Sequence, residues 1–291
     1  MNHTLKLVLQ PVATPQLVVQ LIIPPSVTPC QHTITLTFGD QAENHVGMQK
    51  IGQLATNGFN LEDLTKIKEL MEKYDVRCEL IHLNPYLPSI FQGESSKPAY
   101  ILIIREGVDH ILNTQNAMDL LAEQARLQPD TKAFMYGRVV NKKARHNLCF
   151  SEIGQEPDYE NKKGRIVPYS EVPLLNFLRL SFPTWFGLKA QNLVIEGNYY
   201  YDVTKCGIGF HGDSERRRVI GVRLGAPLPL NYQWFLESKP VGTRIKLIIN
   251  HGDIYIMSEK AVGTDWKKKK TLTLRHAAGC DKYLKINGSL G

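Results

Sequence analysis

The chain has no C-x-x-C pair among its five cysteines, which rules out a zinc ribbon or a redox dithiol of the usual spacing. Cys30, Cys78, Cys149, Cys206 and Cys280 are widely spaced and odd in number. That pattern argues against a disulfide framework and for a reducing intracellular setting, cytoplasm or nucleus. No glycine-rich nucleotide loop and no internal repeat is visible. The apolar run Leu17–Ile23 is stopped by Pro24-Pro25, too soon to span a bilayer. The N-terminus also lacks the basic start and small-residue cleavage site of a signal peptide, so no membrane role is expected. An apolar fraction of 43% and a charged fraction of 22% give disorder no support. The 291 residues suffice for one large domain, or for a catalytic domain with a smaller neighbour.

Charge is unevenly placed. Residues 201–291 carry 16 Lys or Arg against 8 Asp or Glu, a net of +8, whereas residues 1–200 carry 19 against 20, a net of −1. A basic surface confined to one part of a protein attracts polyanions such as nucleic acid.

Hydrophobic periodicity divides the chain into a small α/β extension over residues 1–110 and a mainly β domain with flanking helices over residues 111–291. In the first part, 32–38 alternates as a half-buried strand, and Asn60 caps a helix carrying Leu61, Leu64, Ile67, Leu70 and Tyr74. Tyr100 to Ile104 reads as a further strand. A helix over 115–127 follows, then a polar segment, 137–168, that reads as a long hairpin or lid. Pro173 opens a short helix that Pro183 closes. From Asn192 onward, short strands separated by Gly, Pro and Asn predict a sandwich or barrel.

One motif stands out in that strand-rich half. Phe210-His211-Gly212-Asp213 lies in a glycine-marked stretch and is followed by Arg216-Arg217-Arg218. An imidazole and a carboxylate two residues apart, joined by one distant histidine, supply the facial triad of non-haem Fe(II) oxygenases. Three coordination positions then remain for a chelating cosubstrate and O2. The motif alone is weak, and its surroundings strengthen it.

From about Gly137 to Gly279 the chain resembles the AlkB-like branch of the 2-oxoglutarate- and Fe(II)-dependent dioxygenases. Asn198-Tyr199-Tyr200 stands before the His-x-Asp, as in that family. Glu215 and Ile220-Gly221-Val222-Arg223-Leu224-Gly225 follow it. Gly252-Asp253-Ile254-Tyr255-Ile256-Met257 and Thr273-Leu274-Arg275 match later strands. The chain departs from the family after Met257, where residues 261–270 contain no histidine. The first one, His276, begins His276-Ala277-Ala278-Gly279-Cys280, which is similar to the distal segment of prolyl-4-hydroxylase-like members.

The resemblance implies a double-stranded β-helix, or jelly roll, binding Fe(II) and 2-oxoglutarate with O2 as cosubstrate. It also implies DNA or RNA as partner and the hydroxylation or oxidative demethylation of a base. Hydroxylation of a protein side chain or small molecule, or a nucleic-acid-binding module without turnover, are the other readings. The implied ligands are His211 and Asp213, completed by His276, or else by Asp265 or water. The cosubstrate would be held by Asn198, Tyr200 and Arg275 together with Lys269 in one alignment, or with Lys285 or Lys282 in the other. Lys142, Lys143 and Arg145, the arginines 216–218 and the lysines 267–270 are candidate phosphate contacts, and Tyr136, Trp185 and Trp234 candidates to stack on a base.

Overall fold

The computed structural model describes residues 31–92 and 97–286; the run Leu17–Ile23 and Cys30 lie outside them. The architecture is mainly β with flanking helices. The chain runs through β1 (Thr33–Gly39), the short pair β2 (Gln41–Glu43) and β3 (Lys50–Gly52), α1 (Leu61–Glu72), β4 (Cys78–His82), β5 (Tyr100–Ile104) and α2 (Gly107–Leu112). Next come α3 (Ala117–Ala125), the hairpin β6 (Lys132–Met135) and β7 (Arg138–Asn141), β8 (His146–Ser151), β9 (Ile166–Pro168) and α4 (Pro173–Phe186). The last third holds β10 (Val194–Tyr200), β11 (Gly207–His211), β12 (Val219–Gly225), β13 (Leu230–Leu236), β14 (Lys239–Leu247) and β15 (Ile254–Met257). It ends with α5 (Glu259–Val262), β16 (Thr273–Gly279) and α6 (Asp281–Leu284).

Two sheets face each other. The larger has the order β4-β5-β15-β12-β1-β10-β8-β9 and the smaller β11-β16-β13-β14. From β10 to β16 the chain crosses from the large sheet to β11, returns to β12, crosses to β13 and β14, returns to β15 and crosses again to β16. Period-2 alternation then sorts the side chains. On the large sheet Ile34, Leu36, Phe38, Ile195, Tyr199, Ile220, Val222, Leu224, Ile254 and Ile256 face the helices and form one core. Tyr232, Trp234, Ile245, Tyr255, Met257 and Leu274 form a second core between the sheets.

The boundary at residue 110 does not separate two units. β1 lies in the middle of the large sheet, antiparallel to β10 on one side and β12 on the other. Its expected half-burial is therefore replaced by burial of both faces, as a central strand between helices and a second sheet requires. β4 and β5 continue the same sheet through β15.

The segment 137–168 is not a lid either. Only β6 and β7 project as a hairpin, turning at Tyr136 and Gly137, both at positive φ. β8 is a buried strand paired with β10, and β9 joins it in parallel.

Helix signals held better. Asn60 accepts from the Asp63 N–H while the Asp63 carboxylate accepts from the Asn60 N–H, a capping box that starts α1 and buries Leu64, Ile67 and Met71. Tyr74 falls beyond that helix and is exposed. Pro183 does not close α4, which runs on to Phe186 and stops at Gly187. No described helix is long and apolar enough to cross a membrane.

Candidate metal centre and acid-binding cavity

The small sheet brings His211 and His276 directly opposite each other, because β11 pairs with β16 in a register that places one against the other. An irregularity between Ile208 and His211 re-aims the end of β11. Gly212 then lets the chain turn tightly past α5. A Cβ there would lie 2.0 Å from the Gly263 carbonyl oxygen, so only glycine fits between His211 and Asp213. Asp213 follows, pinned by its N–H to the Val262 carbonyl at 3.0 Å.

One ligating atom from each of His211, Asp213 and His276 lies within 4.8 Å of the others. The Nε2 atoms of both histidines face the same carboxylate oxygen, Asp213 Oδ1, at 3.5 and 3.6 Å. His211 Nδ1 is 2.8 Å from the Gly209 carbonyl, which can only accept, so Nδ1 carries the proton and Nε2 offers its lone pair. Burial, with His276 alongside, pushes the His211 imidazole down to about 3. Burial alone would raise the Asp213 carboxyl, but Arg216 and the two imidazoles hold it below the ordinary carboxylate range. Two imidazoles and one carboxylate on one side of a cavity suit a borderline divalent ion such as iron.

The other oxygen of Asp213 is held from behind. Arg216 is almost fully buried, with its Nε 3.6 Å from Asp213 Oδ2 and its Nη2 2.5 Å from Glu196 Oε2 and 2.7 Å from Glu215 Oε1. Glu196 in turn accepts from Asn198 and Asn147. Asn198 Oδ1 accepts from Asn147 Nδ2 at 2.7 Å and from Arg145 Nε at 2.5 Å. A continuous polar chain thus runs from Asp213 to Arg145.

The centre opens into a cavity of about 460 Å³ between the sheets. On its large-sheet wall lies Arg223, only 1% exposed. Its Nη1 donates to Thr35 Oγ1 at 2.6 Å, its Nε has no partner, and no carboxylate pairs with it among the described residues. Burial lowers its pKa. Tyr200 and Tyr255 line the cavity with it. Tyr255 occupies the space over Gly221, where an added Cβ would fall 2.0 Å from its ring. A buried cation without a counter-ion is costly, and the planar guanidinium fork matches a carboxylate in shape and charge.

No family model matches the chain. An uncharacterized protein of Acanthamoeba polyphaga mimivirus is 55% identical to it over 258 residues, 89% of this chain and all of the viral one. The chain belongs to that protein's family. At this identity the two share one fold.

The structure gathers some of the sequence candidates and scatters others. His211, Asp213 and His276 meet. Asn198 and Tyr200 face the cavity, while Tyr199 points away and donates to Gln124 Oε1. Arg275 does not enter it. Neighbours on a strand face opposite sides, so with His276 turned inward Arg275 lies outside, over the rings of Phe235 and Trp266 at 4.2 and 5.4 Å. Lys269, Lys282 and Lys285 are exposed and line no part of the cavity, because the loop before β16 and the short α6 carry them outward. Asp265 is bound to Lys260 instead of joining the histidines.

The arginines after the motif are internal ties. Arg216 is in the buried network, Arg217 pairs with Glu259, and Arg218 donates to the carbonyls of Asn57 and Lys189. Lys142 is bound to Asn44 and Asn147. Trp234 is core, donating to the Leu83 carbonyl, and Trp185 sits in a ring cluster with Tyr74 and His110. Tyr136 is 88% exposed at its hairpin tip.

Sequence reasoning missed Arg223, Glu196 and the role of Arg216. Arg223 had a signal: it shares its strand face with Val219 and Gly221, so a charge pointed at the interior in an otherwise apolar strand.

Proposed function

We propose that the protein is an Fe(II)- and 2-oxoglutarate-dependent oxygenase of the superfamily it resembles, acting on a nucleic-acid base. One observation carries the reading: two imidazoles and a carboxylate converge in a cavity that also contains a buried arginine with no carboxylate partner among the described residues. A lone triad would suit many divalent ions. A triad facing an orphaned guanidinium suits a metal with a chelating diacid.

When bound, iron with 2-oxoglutarate and O2 supplies an oxidation that places one oxygen atom in a substrate C–H bond and the other in succinate, with release of CO2. His211 Nε2, His276 Nε2 and Asp213 Oδ1 would hold the metal on one side. Because His211 is held neutral and Asp213 ionised, no proton need leave them on binding. Arg216 fixes the Asp213 carboxylate through its second oxygen. Arg223 would take the far carboxylate of the cosubstrate, and Thr35 would donate its hydroxyl proton to the same group.

We read the path from β10 to β16 as a double-stranded β-helix whose eighth strand is supplied by β1. The AlkB-like motifs and the charge of +8 over residues 201–291 support a nucleic-acid substrate. The base would reach the metal by flipping or from a single strand. The four described cysteines are unpaired, which fits a reducing compartment.

The test is succinate release from 2-oxoglutarate by anaerobically iron-loaded protein after exposure to air, with and without methylated single- and double-stranded DNA and RNA. His276→Ala and calorimetric Mn(II) binding run alongside. Turnover stimulated by an oligonucleotide, with both turnover and Mn(II) binding lost in His276→Ala, is the expected result. Basal turnover that no oligonucleotide stimulates moves the substrate to a protein side chain or small molecule. Absence of turnover in folded protein that binds the metal refutes the oxygenase reading.

A further inference from the structure

We propose that Arg145 and Lys267 form an anion-binding mouth that grips the phosphodiester beside the base entering the cavity. The inference rests on the nucleic-acid reading above and names the residues that would contact the backbone.

Arg145 precedes β8 and Lys267 follows α5, yet both line the same cavity. Neither has a carboxylate partner among the described residues. Lys267 is exposed, with its ammonium 5.4 Å from the centre of the Trp266 ring. Arg145 is half-buried, and only its Nε is bonded, to Asn198 Oδ1. Both terminal nitrogens are left for a ligand. Four carboxylates line the cavity with them. Asp213, Glu196 and Glu215 are gathered around Arg216, and Glu43 accepts from the Gly47 N–H. The rim cations are therefore not neutralised by a neighbour.

The orientation of Arg145 carries most of the argument. Asn198 cannot rotate freely, because its Oδ1 also accepts from Asn147 and its Nδ2 donates to Glu196 Oε1 at 3.1 Å. Glu196 is locked by Arg216, and Arg216 stands against Asp213. The same polar chain thus fixes a metal ligand at one end and a free guanidinium fork at the other. A fork of this kind matches the paired oxygens of a phosphate. A phosphate held there sits at a set offset from the metal, which positions the attached nucleotide and does more than raise affinity.

The test is fluorescence anisotropy of a labelled single-stranded oligonucleotide binding the full chain without iron, from 50 to 200 mM KCl. An abasic oligonucleotide and poly-glutamate serve as competitors. Each cation that neutralises a phosphate on a single strand contributes about 0.7 to the slope of log K against log salt. Arg145→Gln and Lys267→Gln should each lower that slope by ~0.7, and the pair together by ~1.4. Lys73→Gln, beyond α1 on the far side of the large sheet, should leave it unchanged. Arg145→Lys should restore the slope, which separates loss of charge from a folding defect. The abasic strand should compete and poly-glutamate should not.

Wild-type binding with unaltered slopes in both Gln variants overturns the mouth and leaves the nucleic-acid reading standing. Competition by poly-glutamate equal to that of the abasic strand would make the site one for acidic protein, and also overturns it. Failure of the wild type to bind at 50 mM salt overturns the mouth, and where no oligonucleotide stimulates turnover either, it removes the nucleic-acid reading as well.

Discussion

Replacing Arg223 with methionine should strengthen the fold while disabling the cavity, a combination that few structural roles would give. The guanidinium is buried, keeps one hydrogen bond to Thr35 Oγ1, and has no counter-ion among the described residues. Exchanging buried ionic groups for apolar side chains of similar volume is often neutral or stabilising, by about 1–4 kcal/mol for whole pairs, and a lone ion has no Coulombic partner to lose. Even ~1 kcal/mol raises the melting temperature of a protein this size by roughly 2–4 °C. Binding moves the other way. Two charge-assisted hydrogen bonds from the fork to a carboxylate, at about 1.5 kcal/mol each, amount to ~3 kcal/mol, or roughly 150-fold in Kd. Calorimetric titration of 2-oxoglutarate into Mn(II)-loaded protein, beside a thermal melt without ligand, reads both quantities. An Arg223→Met protein that binds 2-oxoglutarate within about twofold of wild type refutes the anchor. A variant that melts lower would show that Arg223 is a structural tie.

Three further outcomes follow from particular contacts. Gly221→Ala would drive a Cβ into the Tyr255 ring; overpacking of this kind costs about 1–3 kcal/mol. It should lower both the melting temperature and 2-oxoglutarate affinity, and unchanged affinity would place Tyr255 outside the acid site. Arg275→Gln should leave 2-oxoglutarate affinity intact and cost about 1 kcal/mol of stability through the lost ring contacts with Phe235 and Trp266; a large rise in Kd would restore Arg275 to the site. Lys142 should make stability depend on alkaline pH. Burial pushes its ammonium down to about 8, against an ordinary value of 10.5. Between those values the unfolded chain holds a proton that the folded protein has released, so stability rises with pH across the window. The rise is of the order of 2–3 kcal/mol, and Lys142→Met should abolish it. Denaturant melts at pH 7.5 and 10 that shift equally in both proteins would contradict that burial.

What the sequence discloses and what it conceals divide along a physical line. The strand-rich C-terminal half, the Asn60 cap and the His211-Gly212-Asp213 motif are local features, set by residues within a few positions of one another, and they are legible. His276 is legible only through the resemblance, which implies a distal histidine that residues 261–270 do not offer. Long-range pairing is different. Nothing in Thr33-Ile34-Thr35-Leu36 says that β1 will be inserted between β10 and β12, and only that insertion sets Thr35 beside Arg223 and closes the cavity wall. The same limit explains the error over cations. The family resemblance offers Arg275 with Lys269 in one alignment and Lys285 or Lys282 in the other. Yet strand alternation turns Arg275 outward, and the loop before β16 and the chain around α6 leave the lysines exposed. Arg223 lies 53 residues from His276 in sequence (276 − 223), on the facing sheet, in a strand otherwise read as apolar. Its charge had to face either the helices or the interior, because β12 is central and has no solvent side. A lone arginine in a strand that must be central is therefore a sequence signal for a buried charge facing the interior, provided the strand can first be shown to be central. Here that proof depends on β1, the strand the sequence assigns to a separate extension.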